Sequence, residues 1–177
     1  MSDEQKNYFQ LFSLLQEFDL DPKQLKQIYR QQQEAVHPDR FADSSEDEKL
    51  HSIQATSRLN QAYETLASPQ LRAAYLLLLN GVDVEDVSQQ DLSPELLMGQ
   101  IQLREQLEEV VGGSNALDEL AQLRSDIEIQ LGQSQHQFSE KFGASELGAA
   151  KSCYYEMQYL GKLLSEIEAA EERLLDY

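Results

Sequence analysis

The chain has 177 residues, 41% of them hydrophobic, and carries 32 acidic against 14 basic side chains for a formal net charge of −18. That length fits one ordinary domain or two small ones, with enough apolar residues for a core. The acidity argues against nucleic acid, whose phosphates it repels; the longest apolar run, Ala73 to Leu79, is far too short to span a membrane; and a lone cysteine, Cys153, excludes an internal disulfide or a CxxC metal or redox site. The N-terminus, Met1 to Lys6, is polar and acidic, unlike a secretory signal or an Arg-rich transit peptide, so a cytoplasmic protein is expected.

Pro and Gly are scarce, strand-like alternation is absent and helical periodicity runs nearly throughout, which predicts an all-α class. Tyr8, Phe9, Leu11, Phe12, Leu14 and Leu15 predict a short, strongly apolar first helix. Asp21-Pro22 then reads as an N-cap with proline at the first helical position. In the second helix Leu25, Ile28, Tyr29 and Val36 share one side, while Lys23, Lys26 and Arg30 fall at spacings of three and four on the other. Ser45 and Glu48 form a capping-box pattern for a third helix to about Ala67, with Ile53, Leu59, Ala62, Tyr63 and Leu66 as its expected core residues. Ser68-Pro69 restarts the chain as a fourth helix that ends before Gly81. Residues 81–92 are polar and acidic and read as a linker, expected to be packed and not free, between a domain over 1–80 and another over 93–177. In the second domain Ser93-Pro94 opens a helix to Val111, stopped by Gly112-Gly113. Asn115 caps the next, with Leu120, Leu123, Ile127, Leu131 and Phe138 in one stripe, and Gly143 breaks it. The last runs from about Ser145 to Leu175 with Cys153, Met157, Leu160, Leu164 and Ile167 on its core side. Three long helices with short connections predict an antiparallel bundle.

Between the second and third helices stands Ala35-Val36-His37-Pro38-Asp39-Arg40-Phe41. Pro38 cannot donate a backbone hydrogen bond and pushes His37 out of helical geometry, so the helix ends here and His37 and Asp39 are presented from a constrained turn. From Pro22 to Arg40 the cations Lys23, Lys26, Arg30 and Arg40 outnumber Glu34 and Asp39, a local net of +2 inside an acidic molecule. A basic stripe on an acidic chain suits an acidic partner surface; ordinary surface variation produces the same pattern.

The helix from Pro94 to Val111 carries more hydrophobicity than one face needs. At about 100° per residue, Leu96, Leu103, Leu107 and Val110 fall on one side. Leu97, Met98 and Ile101 fall on another, together with Glu105 and Glu109. An apolar patch ringed by carboxylates suits docking of a partner. Packing against the N-terminal domain fits the same three residues equally well. On the last helix, Tyr155 and Tyr159 fall off the core stripe.

The His37-Pro38-Asp39 tripeptide, set between a basic amphipathic helix and a second long helix, resembles the signature of J-domain co-chaperones. The resemblance narrows with His37-Pro38-Asp39-Arg40-Phe41, Asn60-Gln61-Ala62-Tyr63, Arg72-Ala73-Ala74-Tyr75-Leu76-Leu77, Leu97-Met98, Leu103-Arg104-Glu105 and the closing Leu174-Leu175-Asp176-Tyr177. Together these are similar, in order and along essentially the whole chain, to the HscB family of iron–sulfur cluster biogenesis. What that resemblance implies is a J-domain joined to a C-terminal three-helix bundle in an L-shaped arrangement. His37, Pro38 and Asp39 are then expected to trigger ATP hydrolysis in the DnaK-type chaperone HscA, with Lys23, Lys26, Arg30 and Arg40 meeting its acidic surface. Leu97, Met98, Ile101, Glu105, Glu109 and Tyr159 are expected to hold the scaffold protein IscU. Arg40 stands where the family often has Lys, Tyr159 where bacterial members have Phe, and Gln102 where the pattern has an acid. The N-terminal cysteine pairs of the animal form are absent, so a bacterial-type protein without zinc or other cofactor is expected, and a monomer.

An enzyme reading finds little support. His37 and Asp39 are separated by a proline and make a poor charge-relay pair, and no nucleophile stands out. His51 and His136 have no partner at metal-ligand spacing. The serious alternative is a J-domain co-chaperone for another client, which a Leu97→Ala, Met98→Ala variant with intact scaffold binding would favour.

Overall fold

The computed structural model of the chain describes residues 6–41, 44–84, 94–111, 113 and 115–175. Most of the expected linker, the Ser93 cap, Gly112 and the terminal Asp176-Tyr177 lie outside the described residues. Among the described residues the chain is all-α: α1 Tyr8–Leu11, α2 Pro22–Val36, a 3₁₀ turn Pro38–Phe41, α3 Glu46–Ala67, α4 Pro69–Leu79, α5 Pro94–Val111, α6 Ala116–Gly143 and α7 Leu147–Leu175. Two compact units divide between Leu76 and Leu77, inside α4.

In the first unit α2 and α3 pack as a pair, with α1 also against α3. Asp21 caps α2 through Lys23 N–H at 2.8 Å, with Pro22 at the first helical position. Ser45 and Glu48 close the expected capping box on α3. The apolar core comprises Phe9, Phe12, Phe18, Leu25, Leu59, Ala62, Leu66, Ala73 and Leu76. Tyr29 of α2 stacks on Tyr63 of α3 at 4.1 Å, and its hydroxyl donates to Asn60 at 2.9 Å. That pair fixes the α2–α3 register at mid-helix.

Two expectations fail in this unit. The first helix does not reach Leu15. Ser13 takes a left-handed φ of 55°, its N–H returns to Gln10 O and Leu14 N–H to Phe9 O, so a Schellman motif ends α1 after one turn. Serine there gives none of the warning that glycine gives at Gly81, where the same motif ends α4. Ile53 is 56% exposed and not in the core, because the buried face of α3 runs through Ser52, Leu59, Ala62 and Leu66. Unforeseen is Arg72, 7% exposed, which donates to Leu66 O and Phe18 O and lies over the Phe18 ring. Burial holds its pKa below the usual guanidinium value, partly offset by Asp19.

In the second unit α6 and α7 form the most extensive pair, and α5 packs on both. Leu107 and Val110 of α5 join Leu120, Leu123 and Ile127 of α6 and Leu160, Leu163 and Ile167 of α7 in one core cluster. Arg104 grips Glu166 with two bonds of 2.8 and 3.0 Å, tying α5 to α7. Arg124 pairs with Glu171, tying α6 to α7. Gly143 is the last residue of α6 and not its breaker. The left-handed residue is Ser145, φ 60°, again in a Schellman motif. On α7, Leu163 is buried and Leu164 packs half-buried against the same core cluster, Cys153 is only half-buried, and Tyr155 is buried at 3% exposure instead of lying off the core stripe.

Candidate functional site

The turn after α2 follows from a missing proton. In an uninterrupted helix the Glu34 carbonyl accepts the N–H four residues on. That residue is Pro38, which has none. The Arg40 guanidinium fills the gap, donating to Glu34 O at 3.1 Å. His37 adopts φ −59°, ψ 130°, the extended geometry a following proline demands. The Arg40 N–H returns to His37 O at 3.0 Å and closes the 3₁₀ turn. The Asp39 N–H donates to His37 Nδ1 at 3.2 Å. In a neutral imidazole this leaves the proton on Nε2, so the ring offers a donor outward. The side chains of His37 and Asp39 are 48% and 91% exposed, with Nδ1 3.6 Å from Asp39 Oδ2.

Beyond those contacts, Val36 O accepts two side-chain hydroxyls from α3, Ser52 at 2.7 Å and Thr56 at 3.2 Å. Sequence reading missed both residues. Their signal was a pair of hydroxyls four apart in the half of α3 nearest the turn. Lys23, Lys26 and Arg30 are all exposed on α2, as is Arg40. The structure therefore brings the basic stripe and the His37-Pro38-Asp39 turn onto one helix and its continuation.

In the second unit, α5 divides as its periodicity predicts. Leu107 and Val110 are buried, and Leu96 and Leu103 half-buried. Met98 and Ile101 are 58% and 54% exposed, Leu97 is half-buried, and Glu105 and Glu109 are exposed. Within the second unit, neither α6 nor α7 covers Met98 or Ile101. The Tyr159 hydroxyl of α7 donates to the Gln100 carbonyl of α5 at 2.6 Å, so it braces α5 from the side. A cleft of about 360 Å³ opens beside that bond, lined by Gly99 and Leu103 of α5, Gln130 of α6, and Cys153, Glu156 and Tyr159 of α7. Burial pushes the Tyr159 hydroxyl above its usual pKa, and burial together with nearby Glu156 pushes the Cys153 thiol up. Among the described residues no group of three His, Cys, Asp or Glu side chains is placed to hold a metal, and no helix is long and apolar enough to cross a membrane.

Comparison with known proteins finds matches to both units of the chain. Residues 7–75 match the family model of the DnaJ domain, and residues 92–168 that of the HSCB C-terminal oligomerisation domain. A co-chaperone HscB homolog of Aeromonas hydrophila is 34% identical over 170 residues, covering 96% of this chain and 99% of the relative. Among solved structures, chaperone HscB from Vibrio cholerae superposes with a TM-score of 0.85 at 34% identity, covering 96% of this chain and 99% of that one. Human co-chaperone protein HscB superposes with a TM-score of 0.87 at 27% identity, covering 94% and 83%.

Proposed function

The chain belongs to the HscB family of J-domain co-chaperones, and from that premise we propose that it stimulates ATP hydrolysis by the DnaK-type chaperone HscA and delivers the iron–sulfur scaffold IscU to it. The observation that carries the proposal is the turn: a braced corner exposing His37 and Asp39 at the end of a helix whose Lys23, Lys26 and Arg30 face solvent. A chaperone conformation that binds this corner better than its alternative is populated by it, which is how a protein without catalytic groups accelerates another protein's hydrolysis. The cations speed and orient the encounter. Arg40 adds its charge beside the turn while bracing it through Glu34 O.

On the second unit, exposed Met98 and Ile101, with Leu97 beside them and Glu105 and Glu109 along the same helix, supply a patch for the scaffold, and Tyr159 fixes the backbone beneath it. Apolar side chains carry the affinity and carboxylates the register. Holding chaperone and client on one chain raises their effective concentration. The protein is in this reading a cytoplasmic monomer with no enzymatic activity or cofactor of its own. The test is ATP turnover by HscA titrated with this chain. Stimulation by the natural chain and none by His37→Gln is expected; equal stimulation by both would refute the role given to the turn.

A further inference from the structure

Resting on the reading that the His37-Pro38-Asp39 corner acts on the chaperone, we infer that Ser52 and Thr56 of α3 are positioning residues for it: their two hydroxyls clamp the Val36 carbonyl and so set the direction in which the imidazole leaves α2. Serine and threonine inside helices commonly donate back to the carbonyl four residues earlier in their own helix. In this chain Thr65 does so to Gln61 O, Ser152 to Gly148 O and Ser165 to Gly161 O. Ser52 and Thr56 instead reach across to the end of α2, at 2.7 and 3.2 Å.

Their target is specific. Val36 O sits where a continuing helix would supply the Arg40 N–H, and that N–H is spent on His37 O. Val36 O is thus one of the orphan carbonyls of a helix end, and a carbonyl has two lone pairs to fill. Ser52 is 4% exposed, at a position of α3 where alanine would fill nearly the same space. A buried hydroxyl costs stability unless bonded, so this bond is what justifies a serine there. Two donors one helical turn apart on α3 hold the carbonyl from two directions and resist its rotation. Only the φ and ψ of His37 separate that anchored carbonyl from Pro38, whose own φ is fixed by its ring. The orientation of α3 is thereby passed to the corner through one residue.

The test compares the natural chain with Ser52→Ala/Thr56→Val, which removes both hydroxyls at nearly constant volume, and with Thr56→Ser, which keeps both. HscA turnover is measured against co-chaperone concentration, and amide hydrogen exchange is followed in the full-length chain. The double variant should lose at least about threefold in maximal stimulation, with a smaller shift in half-maximal concentration, because Lys23, Lys26 and Arg30 still steer the encounter. The Arg40 amide should exchange about tenfold faster, while amides around Leu59 to Leu66 keep their protection. Thr56→Ser should behave as the natural chain. A double variant that stimulates fully with an unchanged Arg40 amide would overturn the inference. So would a Thr56→Ser chain as impaired as the double variant, since packing and not the hydroxyl would then be responsible. Loss of protection throughout α3 would make the role merely structural and also overturn it. If the natural chain gives no stimulation, the proposed function falls, and the exchange data still decide whether the hydroxyls hold the corner.

Discussion

Pro38 has no N–H to give Glu34, and Arg40 supplies one from its side chain. That substitution of donors shows how single residues build the corner. His37 itself makes little of the fold: its side chain is half-exposed and accepts one bond, from the Asp39 N–H. His37→Gln is therefore expected to change unfolding free energy by less than about 0.5 kcal/mol, as surface substitutions do, while abolishing stimulation; urea unfolding beside the turnover assay checks both. Arg72 is the opposite case. It is buried and serves the carbonyls of Leu66 and Phe18, so Arg72→Met removes both bonds from a buried site and is expected to cost about 3 kcal/mol in urea unfolding. Titration adds a third expectation. Burial raises the pKa of Tyr75, Tyr154 and Tyr159, so the folded state holds these protons more tightly than the unfolded chain, whose tyrosines ionise near about 10. Their contribution to stability is complete below that pH and is lost as pH rises through the folded values. Thermal midpoints measured from pH 8 to 11 should hold steady and then fall above about pH 10.

Helix ends and helix faces are unequally legible in the sequence. Ends marked by side-chain chemistry could be read directly: the Asp21-Pro22 start of α2, the capping box at Ser45 and Glu48, and the Gly81 stop of α4 all rest on residues that act within a few positions. The ends of α1 and α6 could not, because Ser13 and Ser145 adopt a conformation their side chains do not advertise. Faces depend on what lies opposite, which periodicity does not say. Hence Ile53 was expected inside and is exposed, and Tyr155 was expected outside and is buried. On the turn, His37-Pro38-Asp39 is evident but the hydroxyls behind it are not, since two hydroxyls four apart do not by themselves say that Ser52 and Thr56 reach the neighbouring helix and not their own. The split of α5 was legible because it asks only which residues share an angle. From that split, Met98→Ala/Ile101→Ala is expected to weaken scaffold binding at least tenfold by calorimetry, about 1.4 kcal/mol. Stability should hardly change, because both side chains are more than half exposed.

At the scale of the whole molecule, the chain keeps its two proposed surfaces on separate compact units, the turn in residues 1–76 and the α5 patch in 77–177. Each surface is built within its own unit, so each variant should spare the other surface. His37→Gln should bind the scaffold normally, and Met98→Ala/Ile101→Ala should retain the stimulation seen without scaffold. The molecule is strongly acidic, yet α2 presents cations, so stimulation should also weaken steeply with added salt as the attraction is screened. The central claim is that one chain joins a chaperone to its client. The measurement that tests it most directly is HscA turnover with this chain alone, with IscU alone and with both together. The account predicts that the two together exceed the sum of the separate effects, and that either His37→Gln or Met98→Ala/Ile101→Ala removes the excess. A merely additive rate, or an excess that survives both variants, would contradict it.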